Sequence, residues 1–408
     1  MFDFIIYSFL FLALFFEVFL VITFFDKDAR RRRTLPFLST FPTVAILVPC
    51  HNEEKTIGKT TESLLALEYP KDKLSIVLID DGSTDNTPQV MDDYRTNPQI
   101  SIIRKENGGK HTALNAGIAA TNSEFIGCLD ADSFVAPDAL KHVIANFDDE
   151  KIGAVTASMS VYAPKKILER MQQAEYLFGI ALRHILATLN GLYVTPGPFT
   201  IFRRTMFTEI GIFRTAHNTE DMEIAMRMQK MGWKIQNAPQ ARVFTKAPGT
   251  LRGLVKQRTR WTTGFIRNGM DYRILFGNPR YGALGLIVLP IAVIAIYFKV
   301  FLFPITWFHF AQSLWRIIAR LSEVPLSFTF QLRSFDWFFA PVNTLSLLSL
   351  VALSITVIFM FVGAHISRTR SQLGPSIFWY LMLYGMIAPL WIVRSLADVA
   401  LGIRREWR

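Results

Sequence analysis

Residues 125–133 read FIGCLDADS, an apolar run that ends in two acidic residues separated by a single alanine. The run predicts a short buried strand, and the acids follow at the point where that strand ends. Residues i and i+2 of an extended segment point the same way, so Asp130 and Asp132 can serve one ligand. Two close carboxylates repel each other unless a cation or a proton intervenes. A hard divalent ion that keeps positions for phosphate oxygens meets that need, although such triplets also occur in ordinary loops.

Polar residues also follow two other predicted strands. Residues 78–85 read LIDDGSTD and place Asp81 at a strand end before a turn and a helix start. A plain turn with a helix cap uses the same residue types. The preceding strand ends in VPCHNEE, with Pro49 and Glu53, so two neighbouring strands offer polar groups to one crevice. That pairing favours a binding site over a structural turn.

Two helix starts carry further polar groups. Residues 107–115 read NGGKHTALN, and a helix N-terminus with free amides and Lys110 can hold an anion, although a simple loop-to-helix junction is the alternative. Thr219, Glu220 and Asp221 precede a helical pattern at 222–231. A routine N-cap explains these three residues equally well when they are considered alone.

Short β-rich runs alternate with helical patterns between residues 43 and 247. Strands are predicted at 44–48, 74–79, 100–103, 125–129 and 154–156, and helices at 53–67, 86–94, 110–120, 137–147 and 167–189. This alternation predicts a mostly parallel sheet that is covered by helices on both faces. Ligands then bind at the carboxyl ends of the strands, where the motifs above fall.

The composition indicates a membrane part. Hydrophobic residues make up 51% of the 408 residues, and residues 4–25 form an apolar stretch with Glu17 as its one charge. About 20 such residues cross a hydrocarbon core of roughly 30 Å. No positive segment precedes this stretch and no small-residue cleavage site follows it, which disfavours a cleaved signal peptide. The basic run at 30–33 predicts that the helix delivers the chain to the cytosol.

Further apolar spans are predicted at 282–308, 340–363 and 376–393, after a basic amphipathic segment that lies along the membrane surface. The expected domains are therefore 1–26, a cytosolic catalytic unit at 27–248, interfacial helices at 249–281, and membrane helices with a tail at 282–408. A basic loop at 365–370 should be cytosolic, and a loop at 316–336 external. Four spans leave Arg404, Arg405 and Arg408 outside, against the positive-inside trend, unless a hairpin forms near Pro290 and Pro304 or the last segment is interfacial.

Charge and cysteine content exclude other classes. The net charge of +11 is not accompanied by a nucleic-acid recognition motif, so nucleic acid is not expected as a partner. Cys50 and Cys128 are too few for a disulfide framework, and no CxxC spacing suggests zinc. Both are predicted to be free thiols in a reducing compartment.

Together with Gln257-Arg258-Thr259-Arg260-Trp261, which alone could be an ordinary interfacial helix, these motifs resemble the processive membrane members of glycosyltransferase family 2. Those members include the cellulose, chitin, hyaluronan and poly-N-acetylglucosamine synthases. The resemblance extends from residue 44 to residue 261. It implies an α/β GT-A fold, Rossmann-like and cytosolic, joined to an α-helical transmembrane region in the plasma membrane.

The resemblance also implies roles for individual residues. Asp221 would be the general base, Arg260 would stabilise the departing diphosphate, and Asp132 would hold Mg²⁺ or Mn²⁺. The UDP-sugar donor would be bound by Pro49, Glu53, Asp81, Lys110 and Asp130. The acceptor would be bound by Gly197, Pro198, Thr200, Glu220, Gln257 and Trp261.

The expected activity is a processive, inverting β-glycosyl transfer that builds an extracellular polysaccharide and secretes it through the membrane helices. UDP-N-acetylglucosamine is the first candidate donor and UDP-glucose the second. The growing glycan, the bilayer and accessory membrane or periplasmic export proteins are the expected partners. A non-processive enzyme that glycosylates a lipid-linked or glycolipid acceptor is the alternative. An inactive sugar-sensing scaffold is disfavoured, because Asp81, Asp130, Asp132 and Asp221 are all present in motif-like settings.

Overall fold

The computed structural model of the chain describes residues 2–26, 40–323, 344–369 and 373–403. Several residues used above to assign membrane orientation lie outside these ranges. They include the basic run 30–33, residues 324–336 of the predicted external loop, and the arginines 404, 405 and 408. The orientation predicted from charge therefore stays a prediction.

The strands within the described ranges form one eight-stranded sheet in the order β3-β2-β1-β4-β7-β6-β8-β5. Their bounds are β1 Val44–Cys50, β2 Leu74–Asp81, β3 Ile100–Lys105, β4 Phe125–Cys128, β5 Ser133–Val135, β6 Ile152–Val161, β7 Thr200–Arg203 and β8 Lys234–Thr245.

Half of the sheet is parallel and the other half is mixed. Strands β3, β2, β1 and β4 are parallel neighbours, with Val44 opposite both Leu74 and Phe125. Strand β7 runs antiparallel to β4 and β6, β8 is parallel to β6, and β5 is antiparallel to β8. The five predicted strands coincide with β1, β2, β3, β4 and β6. The sequence analysis does not predict β5, β7 or β8, which supply every antiparallel pairing.

The helices are α1 Phe2–Phe25, α2 Ile57–Leu65, α3 Thr87–Asp92, α4 Lys110–Ala119, α5 Ala139–Ile144, α6 Ile167–Thr188, α7 Arg204–Ile210, α8 Glu220–Lys230, α9 Leu251–Asp271, α10 Leu289–Glu323, α11 Thr344–Ile366 and α12 Ser376–Ala400. Short 3₁₀ turns occur at Lys71–Lys73, Ala216–Asn218, Arg273–Leu275 and Pro279–Tyr281, and a π turn at Leu284–Val288 precedes α10. The five predicted helices between residues 53 and 189 correspond to α2–α6.

Both faces of the sheet are buried. On β1, Ile46 packs in a cluster with residues of α2 and α5, whereas Leu47 points to the other face and packs with α4, α6 and α8. Because no strand face meets water, the strand sequences are continuous Val, Ile and Leu runs, not alternating ones. This explains why the parallel strands were readable from sequence.

Four helical segments are long and apolar enough to cross a membrane within the described ranges: Ile6–Phe25, Leu284–Phe301, Thr344–Ile366 and Ser376–Ala400. They match the four predicted spans, and the chain is a membrane protein. Helix α10 continues through Pro304 to Glu323 without reversing. The hairpin considered near Pro290 and Pro304 is therefore wrong, since helical backbone runs from the π turn at Leu284–Val288 through both prolines.

Helix α6 is the layer between the sheet and the membrane helices. One side of α6 packs on β6 and β8, and the other packs on α11 and α12. At its crossing with α11, a Cβ built on Gly363 would collide with the Leu177 carbonyl oxygen. Such close backbone approach is typical of small residues at helix interfaces. The unit that contains the sheet and the membrane helices thus share a packed boundary.

The first and third candidate spans are also joined directly. Thr356 Oγ1 of α11 donates a hydrogen bond of 2.9 Å to Glu17 Oε1 of α1. A carboxyl group in a membrane span needs such a polar partner. The one charged residue of residues 4–25 is therefore used in helix–helix contact.

Candidate active site

The carboxyl ends of β1, β2 and β4 meet at one edge of the sheet, as parallel strands require. The loops after β1 and β2 are tied together there. The Asn52 amide donates to Ser83 Oγ at 3.0 Å, and the Thr84 amide donates to Asn52 Oδ1 at 2.8 Å. Pro49 lies opposite Ile79 in the strand register. The predicted crevice between these two strand ends therefore has a rigid rim.

Glu53 lies at the entrance of α2 on this rim. Its amide donates to Thr87 Oγ1 at 2.7 Å, and its carboxylate accepts from Thr56 Oγ1 at 2.6 Å. The Glu53 charge is close enough to Asp132 to raise the pKa of that carboxyl. Glu53 thus contributes negative charge to the same crevice as the acids that follow β4.

Asp81 at the end of β2 organises the turn before α4. Its carboxylate accepts from Lys105 Nζ at 2.6 Å, from the Gly108 amide at 3.1 Å and from the Gly109 amide at 2.8 Å. Only 5% of the side chain is exposed. These contacts fix the glycine turn that opens α4. Asp81 forms the crevice floor, and the nucleotide contact implied for it remains a prediction.

Lys110, the first residue of α4, is the central cation of the site. Its Nζ lies 2.6 Å from Asp130 Oδ1 and 3.3 Å from Glu220 Oε1. Burial lowers the pKa of Lys110, but Asp130, Glu220 and Asp221 together outweigh it and hold the pKa above its usual value. Lys110 is therefore charged, and it joins residues from β4 and α8 that are distant in sequence.

Asp130 and Asp132 have different environments despite their spacing. Asp130 is engaged by Lys110, whereas Asp132 Oδ1 accepts a hydrogen bond of 3.2 Å from Ser133 Oγ. Burial, then the charges of Asp130 and Glu53, raise the pKa of Asp132 to about 6. A divalent cation would relieve that accumulation of negative charge.

The residues fit a metal only in part. Within the described ranges no group of three or more His, Cys, Asp or Glu side chains could hold a metal ion by itself. Asp132 offers the hard oxygen donor that Mg²⁺ and Mn²⁺ accept, and such ions commonly complete their coordination with substrate phosphates and water. The donor set therefore suits a metal ion that arrives with a diphosphate, or whose coordination a diphosphate completes.

Asp221, the second residue of α8, lies beside this cation. Its Oδ1 accepts from the Met222 amide at 2.9 Å, and its carbonyl accepts from Thr195 Oγ1 at 2.7 Å. Burial and the neighbouring Glu220 charge raise the pKa of Asp221 to about 6, although Lys110 and Arg260 oppose the rise. Asp221 is thus ionised at neutral pH and is a stronger base than an exposed aspartate.

Helix α9 brings the predicted Gln257, Arg260 and Trp261 to the same region. Arg260 Nη1 donates to the Asn218 carbonyl at 3.2 Å, immediately before the segment that holds Asp221. Gln257 Oε1 is buried and has no hydrogen-bond partner in the described part of the chain. A buried acceptor of this kind is suited to a hydroxyl donor from a ligand. The structure therefore brings Arg260 beside the acids, whereas the acceptor contacts of Gln257 and Trp261 stay predictions.

The segment at 195–200 closes one side of the site. A Cβ built on Gly197 would lie 2.7 Å from Asp130 Oδ1 and from Lys110 Nζ, so the Gly197 backbone lies against that ion pair. Phe199, buried and with φ of +59°, turns the chain into β7 just after Pro198.

Thr200 differs from its neighbours. Its side chain is buried and its hydroxyl donates to the Pro196 carbonyl at 2.7 Å. The hydroxyl is used as a donor within the loop, and the predicted contact between Thr200 and the acceptor stays a prediction. Thr200 shapes the loop that presents Gly197 and Pro198.

Comparison with known proteins shows what the chain is similar to. Residues 45–211 match the family model described as glycosyl transferase family 2. The chain is 28% identical over 392 residues to a poly-beta-1,6-N-acetyl-D-glucosamine synthase of Staphylococcus epidermidis, a match that covers 95% of this chain and 91% of the relative. A protein of the same name from Staphylococcus aureus strain COL is 37% identical over 224 residues, 54% of each chain. Residues 45–211 are thus similar to the family 2 glycosyltransferases, and the chain is a glycosyltransferase.

The fold of this glycosyltransferase also matches a solved structure. A mannosyltransferase of Pyrobaculum calidifontis, solved in complex with GDP-Man and Mn²⁺, superposes with a TM-score of 0.60 at 18% sequence identity, over 98% of this chain and 97% of that chain. This likeness concerns the fold. The fold class predicted from the sequence is confirmed, and so is the prediction of a glycosyltransferase.

The structure adds two functional neighbours that the sequence analysis does not predict for the glycosyltransferase. Glu175 of α6 forms a buried ion pair with Arg258, the first variable position of the Gln257–Trp261 motif. Gly264 of α9 lies against Thr219, directly before Glu220 and Asp221. The sequence signal for Glu175 is its charge within the largely apolar α6. Nothing in the sequence distinguishes Gly264 from other glycines.

Proposed function

We propose that this glycosyltransferase is a processive, inverting polysaccharide synthase that transfers a sugar from a UDP-sugar to a growing glycan and passes the product through its membrane helices. UDP-N-acetylglucosamine is the proposed donor, because the relatives that cover most of this chain are named for that polymer. One observation carries the proposal. Asp221, whose raised pKa suits a general base, lies near Arg260 of α9, the helix that carries the Gln257–Trp261 motif and is called the motif helix below.

Asp221 is the proposed base. A sugar hydroxyl is a poor nucleophile at neutral pH, so a carboxylate beside it removes the proton as the oxygen attacks the anomeric carbon. A pKa of about 6 keeps Asp221 ionised at pH 7 while making it more basic than an exposed aspartate. Attack from the side opposite the leaving diphosphate inverts the anomeric centre and gives a β-linked product from an α-linked donor.

The leaving diphosphate gains negative charge during this step. Lys110 and Arg260 are the cations of this chain that flank Asp221, and both are proposed to stabilise that charge. Mg²⁺ or Mn²⁺ held by Asp132 would supply further charge stabilisation on the diphosphate when bound. The donor nucleotide is proposed to lie along Pro49, Glu53, Asp81 and Asp130.

The acceptor is proposed to bind between the 195–200 loop and α9. Gln257 Oε1 is available to accept from a sugar hydroxyl, and the Trp261 ring offers an apolar face to a pyranose. Gly197, Pro198 and Glu220 line the proposed path to Asp221. Because α9 packs against α12, the acceptor end would lie beside the membrane helices that are proposed to receive the polymer.

The arrangement also supports a location. We propose a multi-pass protein of the plasma membrane with the catalytic unit in the cytosol, where UDP-sugars are made. The bilayer and the growing glycan are its proposed partners, and accessory membrane or periplasmic export proteins are further candidates.

A donor panel on the purified enzyme in lipid tests the proposal. UDP release and product length are measured for each donor, with Asp221→Asn as the matched inactive control. The proposal expects long, glycosidase-sensitive polymer from UDP-N-acetylglucosamine and none from Asp221→Asn. Single-sugar lipid products would contradict the polymerase and favour a lipid acceptor, and polymer from another donor would replace the proposed sugar.

A further inference from the structure

A buried ion pair joins α6 to Arg258 of α9, a variable position of the Gln257–Trp261 motif. Arg258 Nη2 donates to Glu175 Oε2 at 2.8 Å, and the two side chains are only 7% and 19% exposed. A buried pair of this kind often stabilises a fold no better than apolar residues of the same volume. The role of this ion pair is therefore better explained by the side-chain positions that it fixes.

The Arg258 guanidinium lies close to two aromatic rings. Its carbon is 4.3 Å from the centroid of the Trp261 ring and 5.8 Å from that of Tyr176. Arg258 and Trp261 are three residues apart on α9 and therefore share a side of the helix. Contact between a guanidinium and an aromatic face is attractive, and more so away from water. The guanidinium, itself held by Glu175, limits the orientations open to the indole.

This assembly is fixed to the membrane helices. Tyr380 and Tyr384 of α12 lie beside Glu175 and stack on each other with their centroids 4.7 Å apart. Ser395 Oγ of the same helix donates to the Thr259 carbonyl at 3.2 Å, one residue from Arg258. The support of Trp261 is therefore continuous with α12.

We propose that Glu175 and Arg258 are positioning residues that hold the Trp261 ring in the orientation that binds the acceptor sugar. The proposal rests on the function given above, in which Trp261 contacts the acceptor. Neither residue needs to touch the donor or the reacting atoms. Their loss should weaken acceptor use while leaving donor binding and the reaction of the donor with water intact.

The partition of the donor between transfer and hydrolysis is the decisive measurement. Arg258→Lys keeps the charge but removes the planar group that faces the indole, and Glu175→Gln keeps the volume but removes the charge that holds it. For each variant in lipid, we expect about a tenfold rise in the KM for an oligosaccharide acceptor and shorter polymer, from the strength of such contacts. The donor KM and the rate of UDP release without acceptor should stay within about twofold of wild type.

Arg227→Lys is the matched control. Arg227 pairs with Glu223 at 2.8 Å and the pair is similarly buried, but no contact joins it to Trp261 in the described ranges. This variant should lower the Tm without changing the ratio of transfer to hydrolysis. A double-mutant cycle of Arg258→Lys with Trp261→Phe should be strongly non-additive, because both changes act through one ring.

The outcomes separate the proposals. Additive effects in the cycle, or a parallel loss of transfer and hydrolysis in every Arg258 and Glu175 variant, would overturn the positioning role. If either Arg258→Lys or Glu175→Gln fails to fold, the other variant and Trp261→Phe still distinguish these results. If wild-type enzyme transfers no sugar to any glycan acceptor, the proposed function itself has failed, and that result is visible before any variant is compared.

Discussion

Gly264 of α9 is in contact with Thr219, the residue that caps α8 and precedes Glu220 and Asp221. A Cβ built on Gly264 would lie 2.8 Å from Thr219 Cβ and closer still to its Oγ1. Asn268 Nδ2, one turn further along α9, donates to Thr219 Oγ1 at 2.8 Å. The motif helix and the proposed base are therefore held in register by this contact.

Gly264→Ala should displace Thr219 and, with it, Asp221. We expect kcat to fall about tenfold or more, because small misplacements of a catalytic group are costly, with a donor KM close to wild type. Steady-state kinetics with the preferred donor measure both values. Gly269→Ala is the control on the same helix, since its nearest contact is the end of the Phe276 ring at 3.2 Å, which can move. Equal kcat values for the two variants would contradict the role of the contact.

The pH dependence of activity should report Asp221. Its pKa is raised to about 6 by burial and then by Glu220, against the opposing charges of Lys110 and Arg260, and Asp130 adds to the rise. A base must be ionised, so kcat/KM should be close to full above pH 7 and fall as the pH drops through about 6. Glu220→Gln removes a negative charge and should move this limb to lower pH. If the acidic limb of the kcat/KM profile stayed at the same pH in Glu220→Gln, Asp221 would be ruled out as its source.

Asp132→Ala should chiefly weaken donor binding in the presence of metal. The proposed metal contact is lost, whereas the nucleotide contacts along β1 and β2 remain. Calorimetry of UDP binding with and without Mn²⁺ measures the difference. We expect metal to strengthen UDP binding to wild type but not to the variant. Equal UDP affinity with and without metal in wild type would argue against the metal role.

Lys110→Met should weaken both the fold and the donor site. Asp130, Glu220 and Asp221 would lose their shared cation, and close carboxylates without a counter-charge repel one another. We expect a lower Tm and a higher donor KM. Lys110→Arg keeps the charge and should recover most of the Tm. If Lys110→Met left the Tm unchanged, the ion pairs would not stabilise the fold.

Both cysteines should be unreactive in the native protein. Cys50 and Cys128 are buried, and burial raises the pKa of each thiol, that of Cys128 to about 12. Reaction requires the thiolate, so a thiol reagent should label neither residue until the protein is denatured, when both should react. Mass spectrometry of labelled peptides provides the count. Fast native labelling of Cys128 would show that the β4 strand is accessible.

The parallel part of the fold was predictable because its strands are buried on both faces. Runs such as VAILV and LSIVLI carry that signal without ambiguity, and the motifs follow them directly. Strand β8, with sequence KIQNAPQARVFT, was missed because Gln236, Asn237 and Pro239 obscure its pattern. Strand β5 is only 3 residues long, and β7, although as long as β4, has only Ile201 and Phe202 as apolar residues.

The site was predictable residue by residue but not as an arrangement. Asp130, Asp132 and Lys110 could be selected because each follows a strand or opens a helix. Sequence could not show that Lys110 bridges Asp130 and Glu220, since that depends on where α8 lies relative to β4. The inward turn of the Thr200 hydroxyl was likewise invisible, because a threonine after a proline-glycine turn gives no indication of which way it faces.

The hydrogen bond between Glu17 and Thr356 has a consequence for biosynthesis. The two residues are 339 positions apart, and a ribosome adds about 5–20 residues per second, so Thr356 is made roughly 20–70 s after Glu17. During that interval the N-terminal helix must stay in place without the partner that satisfies its acid. The hydrogen bond that joins α1 to α11 thus forms only after the whole catalytic unit has been translated.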